Sequence, residues 1–142
     1  MLTSAMPLAL VVVAIVGLAV TGNLFSTSPY VIAAQVIAVA LNLWARLSFD
    51  KGTFRVSAAP AGAAVMRRGP YRLVRHPMYL AALVFVWAGI VSHASAVALI
   101  IGSGLTGVVV ARVLAEERLL RAKYPDYDVY TRTTNALVPY LF

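Results

Sequence analysis

Every positive charge in this chain stands in its last two-thirds. All twelve Lys and Arg lie at position 46 or later, in two regions, Arg46–Arg75 and Arg112–Arg132. Residues 1–45 carry no charge, and residues 76–111 carry none if His76 and His93 are neutral. The chain is 61% hydrophobic and 12% charged, where a soluble domain carries about 25% charged residues. With 142 residues it is one domain's worth of chain, 1–142. No ordinary core hides that much apolar surface in so short a chain, so lipid is the expected solvent.

Apolar runs cover Pro7–Phe25, Tyr30–Leu47, Met78–Val91 and Ser95–Leu114. A helix needs about 20 residues to cross about 30 Å of hydrocarbon. The third run is short, and reads as one arm of a tight hairpin with the fourth. The expected fold is an all-α integral membrane protein with four crossings, at about 7–25, 30–47, 78–92 and 95–114. Gly22-Asn23 closes the first run, Ser26-Thr27-Ser28-Pro29 turns the chain, and Ser28 and Pro29 suit the N-cap and first turn of the second helix. The connections at 22–29 and 92–94 lack Lys and Arg. The positive-inside rule then puts both basic regions and both termini on the cytoplasmic side. The net charge of +7 follows from this topology, so nucleic acid is not an expected partner. No obligate protein partner is inferred.

The chain has no cysteine, so it has no disulfide and no thiolate metal site; no metal site is expected. No basic n-region precedes the first run, so a cleaved signal peptide is not expected. Gly102-Ser-Gly104-Leu-Thr-Gly107, with Asp126 beyond it, matches a dinucleotide-binding pattern. The soluble βαβ units that pattern needs have no room here, and small residues that let membrane helices approach explain it better. Gln35 and Asn42 share a face of the second helix, either to hydrogen-bond a neighbouring helix or to line a polar cavity. His93 falls in the turn after the third run, exposed to water.

Two constellations point to chemistry. In Arg75-His76-Pro77, the residue before proline leaves the helical region and proline starts a helix. His76 is thus the expected N-cap of the third helix. The amides of Met78, Tyr79 and Leu80 would face the loop as an anion site, with the His76 side chain as a further donor and Tyr71 and Tyr79 beside it. The alternative is that arginines 67, 68, 72 and 75 grip anionic lipid headgroups. The second constellation is Arg112 and Glu116, four apart on one helical face. An arginine inside an apolar run is costly and usually functional. It suits a carboxylate partner, while Glu116 suits an ammonium or a ribose hydroxyl.

The run Gly69-Pro-Tyr71-Arg-Leu-Val-Arg75-His76-Pro77-Met-Tyr79, then Glu116-Glu117-x-x-Leu120, Tyr124-Pro-x-Tyr127-x-x-Tyr130 and Val138-Pro139, resembles the isoprenylcysteine carboxyl methyltransferase and phospholipid methyltransferase superfamily. These are integral-membrane enzymes that use S-adenosylmethionine. The resemblance covers roughly residues 50–142. It implies a cytoplasm-facing cofactor pocket held by Ala63, Ala64, Val65, Met66, Tyr71, His76, Pro77, Met78, Tyr79 and Glu116. Arg112 would face a lipophilic acceptor from the bilayer, most simply a carboxylate of the isoprenylcysteine type. The segment through Pro139 would close over the adenosine. Glu117 or a tyrosine would act as a base if the acceptor were an amine. A phospholipid or small-molecule N- or S-methyltransferase, a small four-helix transporter and a non-catalytic scaffold are the rival readings. A transporter usually needs a membrane-embedded carboxylate, and residues 1–49 hold none.

Overall fold

The computed structural model describes residues 2–48, 68–125 and 127–137. Its order is α1 (Leu2–Val20), α2 (Pro29–Leu47), a 3-10 turn (Gly69–Arg72), α3 (Pro77–His93), α4 (Ala96–Lys123) and α5 (Tyr127–Thr133). Among the described residues there is no strand, only an isolated parallel bridge between Val74 and Asn135.

Two helices, α2 and α4, are long and apolar enough to cross a membrane, and α3 and Leu10–Val20 are shorter apolar helices. A core helix of a soluble protein is mostly buried. Here only 17% of the apolar window of α2 and 28% of that of α4 are buried. Val20, Ile37, Val91 and Ile100 are all more than 60% exposed. Side chains of that kind pointing outward fit a lipid solvent and not water.

Local chemistry sets the helix ends. Gly22 takes φ +71° after α1. Its amide bonds to Ala19 and the Asn23 amide to Leu18, the paired closure that a left-handed glycine permits. The helix therefore ends at Val20, short of the expected Phe25. Ser28 does occupy the N-cap of α2 with Pro29 in the first turn, but its side chain makes no cap bond. Only Ala94, at φ +47°, and Ser95 separate α3 from α4. The Ser95 side chain accepts from the Ala98 amide. This is the tight hairpin the sequence predicts. Its second arm runs beyond Leu114, carrying α4 nine residues further to Lys123.

α3 packs chiefly on α2, and α1 on α4. One buried cluster joins Leu18, Leu24, Val86, Ile90, Ala98 and Leu105. A second joins Val109 and Val113 of α4 to Ala136 and Leu137 of the C-terminal segment, with Tyr79 and Leu80 against it. The chain between α1 and α2 crosses α3 at Gly89, where the Leu24 carbonyl lies so close that a β-carbon would meet it at 2.1 Å. Gln35 holds that crossing in place: its Nε2 donates to the Leu24 carbonyl at 2.8 Å and to the Phe85 carbonyl at 3.3 Å. Gln35 is thus an interhelical tie. Asn42 is not; it accepts from Arg46 one turn along its own helix. Of the three glycines in the nucleotide-like pattern, Gly102 alone meets a neighbour among the described residues, Ile90 and Trp87 of α3. No described residue lies within 4 Å of a β-carbon at Gly104 or Gly107. His93 is exposed, as expected, and its Nδ1 lies 3.0 Å from the Gly89 carbonyl.

Candidate functional site

The start of α3, the last third of α4 and the C-terminal segment converge at one end of the molecule. The fold builds that convergence from the backbone up. Residues 74–76 run beside 135–136, with the Arg75 amide bonded to the Asn135 carbonyl and the His76 amide to the Ala136 carbonyl. Those bonds hold His76 at the N-cap of α3, with Pro77 as its first residue. The Leu80 amide donates to the His76 carbonyl at 3.1 Å. It is therefore spent on the first helical turn, and the expected anion site loses one of its three amides. Met78 and Tyr79 precede that first bond in the ladder.

Facing this helix start is the Arg112–Glu116 stripe of α4. Tyr79 Oη donates to Glu116 Oε1 at 2.7 Å, and Arg112 Nε donates to Tyr79 Oη at 2.5 Å and to Glu116 Oε1 at 3.1 Å. The three side chains form a closed triangle. The Arg112 and Glu116 side chains are 14% and 17% exposed, enough burial for the pair to be more than a solvated surface contact.

Behind the triangle lies Glu117, a residue that sequence reading weighed only as a possible base. Its side chain is 8% exposed. Arg75 forks onto it, Nε to Oε1 at 2.7 Å and Nη2 to Oε2 at 3.4 Å. Tyr127 Oη donates to Oε1 at 2.9 Å, and Arg121 Nη2 stands 3.6 Å from Oε2. The His76 ring lies between the two carboxylates: Nε2 is 3.2 Å from Glu117 Oε1 and Nδ1 is 3.6 Å from Glu116 Oε2. Arg75 also donates to the carbonyls of Thr131 and Thr134. It is thus turned inward and does not join Arg68 and Arg72, both exposed, at any lipid headgroup. The tyrosine-rich run 124–130 in the motif was the available signal for this arrangement. Its spacing could not reveal that Tyr127 would reach back to α4.

Tyr71, in the 3-10 turn, is buried. Burial pushes its phenol up, and the nearby Tyr130, Glu116 and Tyr79 push it further. Tyr130 Oη donates to the Tyr71 carbonyl at 2.5 Å. Burial likewise raises the Tyr127 phenol, with the Glu117 carboxylate adding to the shift. Both phenols stay protonated donors through the physiological range, and neither is suited to act as a base.

The structure therefore brings together Tyr71, His76, Pro77, Met78, Tyr79, Arg112 and Glu116. Ala63, Ala64, Val65 and Met66, with Val138 and Pro139, lie outside the described residues. They are the expected wall and cover of the cofactor pocket. A separate open apolar groove of about 540 Å³ runs between α2 and α3, lined by Ser28, Val31, Ala34, Trp87 and Ser92 among others. It lies at the far end of α3 from His76 and is not that pocket. Among the described residues no three His, Asp or Glu stand together as a metal site.

In chemical terms, the site offers acceptors on Glu116, helix-start amides at Met78 and Tyr79, and a planar cation at Arg112. That donor set fits a zwitterionic ligand beside an anionic or carbonyl-bearing one.

Comparison with known proteins gives a family and little else. The family model described as phospholipid methyltransferase matches residues 30–127, which include every side chain of the triangle and of the Glu117 cluster. The "Nickel-cobalt-cadmium resistance protein NccN" of Alcaligenes xylosoxydans xylosoxydans is 32% identical over 74 residues, covering 51% of this chain and 35% of that protein. The aligned part thus spans about a third of the curated relative's length. No solved structure matches the chain.

Proposed function

We propose that this chain, which belongs to the phospholipid methyltransferase family, is a membrane methyltransferase that moves a methyl group from S-adenosylmethionine to a lipophilic acceptor. The observation that carries the reading is the Arg112–Tyr79–Glu116 triangle, set against the His76 N-cap inside the family match. The relative's metal-resistance name is not carried over, because the match reaches only 35% of that protein.

The donor supplies an activated sulfonium methyl; the protein's task is placement. Glu116 would accept from the cofactor's ammonium or ribose hydroxyls. The helix-start amides and Tyr71 would take its polar groups. Arg112 orients the acceptor. Orientation of this kind supplies about 7–11 kcal/mol. A carboxylate acceptor is already ionised at neutral pH and needs no base. Its approach to a sulfonium would cancel charge, which a dry site favours. We take such a carboxylate, of the isoprenylcysteine type, as the first reading. The family's description names a phospholipid, and the second reading is one that carries an amine.

Calorimetry in detergent with S-adenosylhomocysteine is the first test. A dissociation constant on the order of 1–100 μM is expected, and no binding at millimolar ligand would overturn the assignment. Membranes given a methyl-labelled donor then separate the acceptors. A base-labile methyl ester supports the carboxylate, and a base-stable N-methylated phospholipid supports the amine.

The topology we propose is four crossings, formed by α1 to α4, with both termini in the cytoplasm. Its support is the absence of Lys and Arg from 22–29 and 92–94. The chain has no native cysteine, so single cysteines at Thr27 and His93 report cleanly. Both are expected to react from outside the cell, and reaction of either from the cytoplasm alone would refute the arrangement.

A further inference from the structure

We propose that Glu117 is a positioning residue for the site: it takes the proton-bearing Nε2 of His76 and thereby fixes which face of that ring meets Glu116. An ionised carboxylate only accepts. Glu117 Oε1 already receives Arg75 Nε at 2.7 Å and Tyr127 Oη at 2.9 Å, and His76 Nε2 is its third neighbour at 3.2 Å. A bare Nε2 lone pair pointed at that oxygen would be repelled, so Nε2 carries a hydrogen. Nδ1 is then the nitrogen turned toward Glu116 Oε2, at 3.6 Å. The sequence-based expectation that His76 supplies its donor to a ligand is revised: the Nε2 donor is spent on Glu117.

The geometry that makes Glu117 a good anchor is its set of tethers. Arg75 and His76 come from the chain before α3, Tyr127 from α5, and Arg121 from α4 itself. Arg75 in turn binds the carbonyls of Thr131 and Thr134. The C-terminal segment and the His76 ring are therefore held by one carboxylate. That carboxylate sits behind the Arg112–Tyr79–Glu116 triangle, joined to Arg75, His76, Tyr127 and Arg121. This is the placement expected of a group that acts through another residue.

The link from His76 to cofactor affinity rests on the methyltransferase reading; the state of the ring does not. The chain has two histidines, so a His93→Gln background leaves His76 as the only one. In that protein, labelled with 15N-histidine and studied by NMR without ligand, Nε2 is expected to be protonated near neutral pH. An unprotonated Nε2 overturns the proposal with no further variant needed. Glu117→Gln presents both a donor and an acceptor, so mixed ring forms are expected. Its dissociation constant for S-adenosylhomocysteine should rise about tenfold, the size of one mis-set charge-assisted hydrogen bond. Tyr130→Phe cuts a different tie of the C-terminal segment, to the Tyr71 carbonyl, and is expected to leave the His76 spectrum unchanged. A folded Glu117→Gln protein with the unaltered spectrum would also overturn the proposal. Should that variant not fold, Tyr127→Phe removes one competing donor from the same oxygen. The Nε2 proton should then shift downfield, and no shift counts against the proposal. A spectrum as expected in a wild-type protein that binds no S-adenosylhomocysteine would leave the role of Glu117 standing and remove the methyltransferase reading.

Discussion

Gly89→Ala is expected to destabilise the protein by about 3 kcal/mol or more, the upper range for forced overpacking. The added β-carbon would stand 2.1 Å from the Leu24 carbonyl oxygen, 2.7 Å from its carbon and 3.0 Å from the Asn23 carbonyl oxygen. All three atoms are backbone, so no side chain can rotate away. The crossing segment must lift off α3. It is pinned by the Gly22 closure of α1, by Gln35 on the Leu24 carbonyl and by the Ser92 to Ser26 hydroxyl bond. Lifting it breaks some of these and opens the Leu18–Leu24–Val86–Ile90 cluster. Thermal melting in detergent checks the effect. Gly17→Ala is the control, because no described residue lies within 4 Å of a β-carbon there. It should be neutral or gain up to about 1 kcal/mol from helix propensity. Equal melting of Gly89→Ala and wild type would mean that the crossing does not lie where the structure puts it.

That contrast between two helical glycines shows where the sequence stops being legible. Helix positions followed from apolar runs and breakers, because lipid leaves the backbone little choice but to satisfy itself within each segment. Pro29 and Pro77 marked helix starts because their effects are local. Which small residue receives a neighbour's backbone is a tertiary matter. The conspicuous Gly104 and Gly107 meet none of the described residues, whereas Gly89 and Gly102 take the close approaches. In the same way Gln35 reaches a carbonyl eleven residues away while Asn42, on the same face, turns to its own helix.

The site divides along the same line. The N-cap role of His76 was readable, since proline restricts the residue before it. So was the Arg112–Glu116 pair, since four residues bring two side chains together on any helix. The destination of the His76 ring was not. It depends on Glu117 lying one residue beyond Glu116, hence about 100° round α4, and on Tyr127 returning from α5. A doublet of glutamates reads as one acidic feature in a sequence. The helix splits it into Glu116 in the triangle and Glu117 behind it, with side chains 17% and 8% exposed.

Arg112→Ala is expected to lower turnover about 10²–10³-fold, the range for removing one preorganised group from a reacting centre. Cofactor affinity should stay within a few fold. Glu116→Gln should do the reverse first, raising the dissociation constant for S-adenosylhomocysteine. The division rests on position: Arg112 lies one turn nearer the apolar part of α4, where a bilayer acceptor would enter, and Glu116 lies one turn nearer its charged end. The triangle complicates the comparison. Arg112 donates to both Tyr79 and Glu116, so removing it strands a partly buried carboxylate. Melting must therefore be measured on each variant before its kinetics. Tyr79→Phe then serves as the arbiter, because it loosens the triangle while leaving both charges in place. If it mimics Arg112→Ala in turnover, the triangle works as a unit and the two roles cannot be assigned separately. Arg112→Lys should recover only part of the loss, since an ammonium lacks the planar fork that holds a carboxylate. Full recovery would mean that charge alone matters, as it would for an amine phospholipid whose phosphate is the anchor. Normal turnover in Arg112→Ala would reduce Arg112 to a snorkelling anchor, and the acceptor would then be held by apolar contacts in the bilayer.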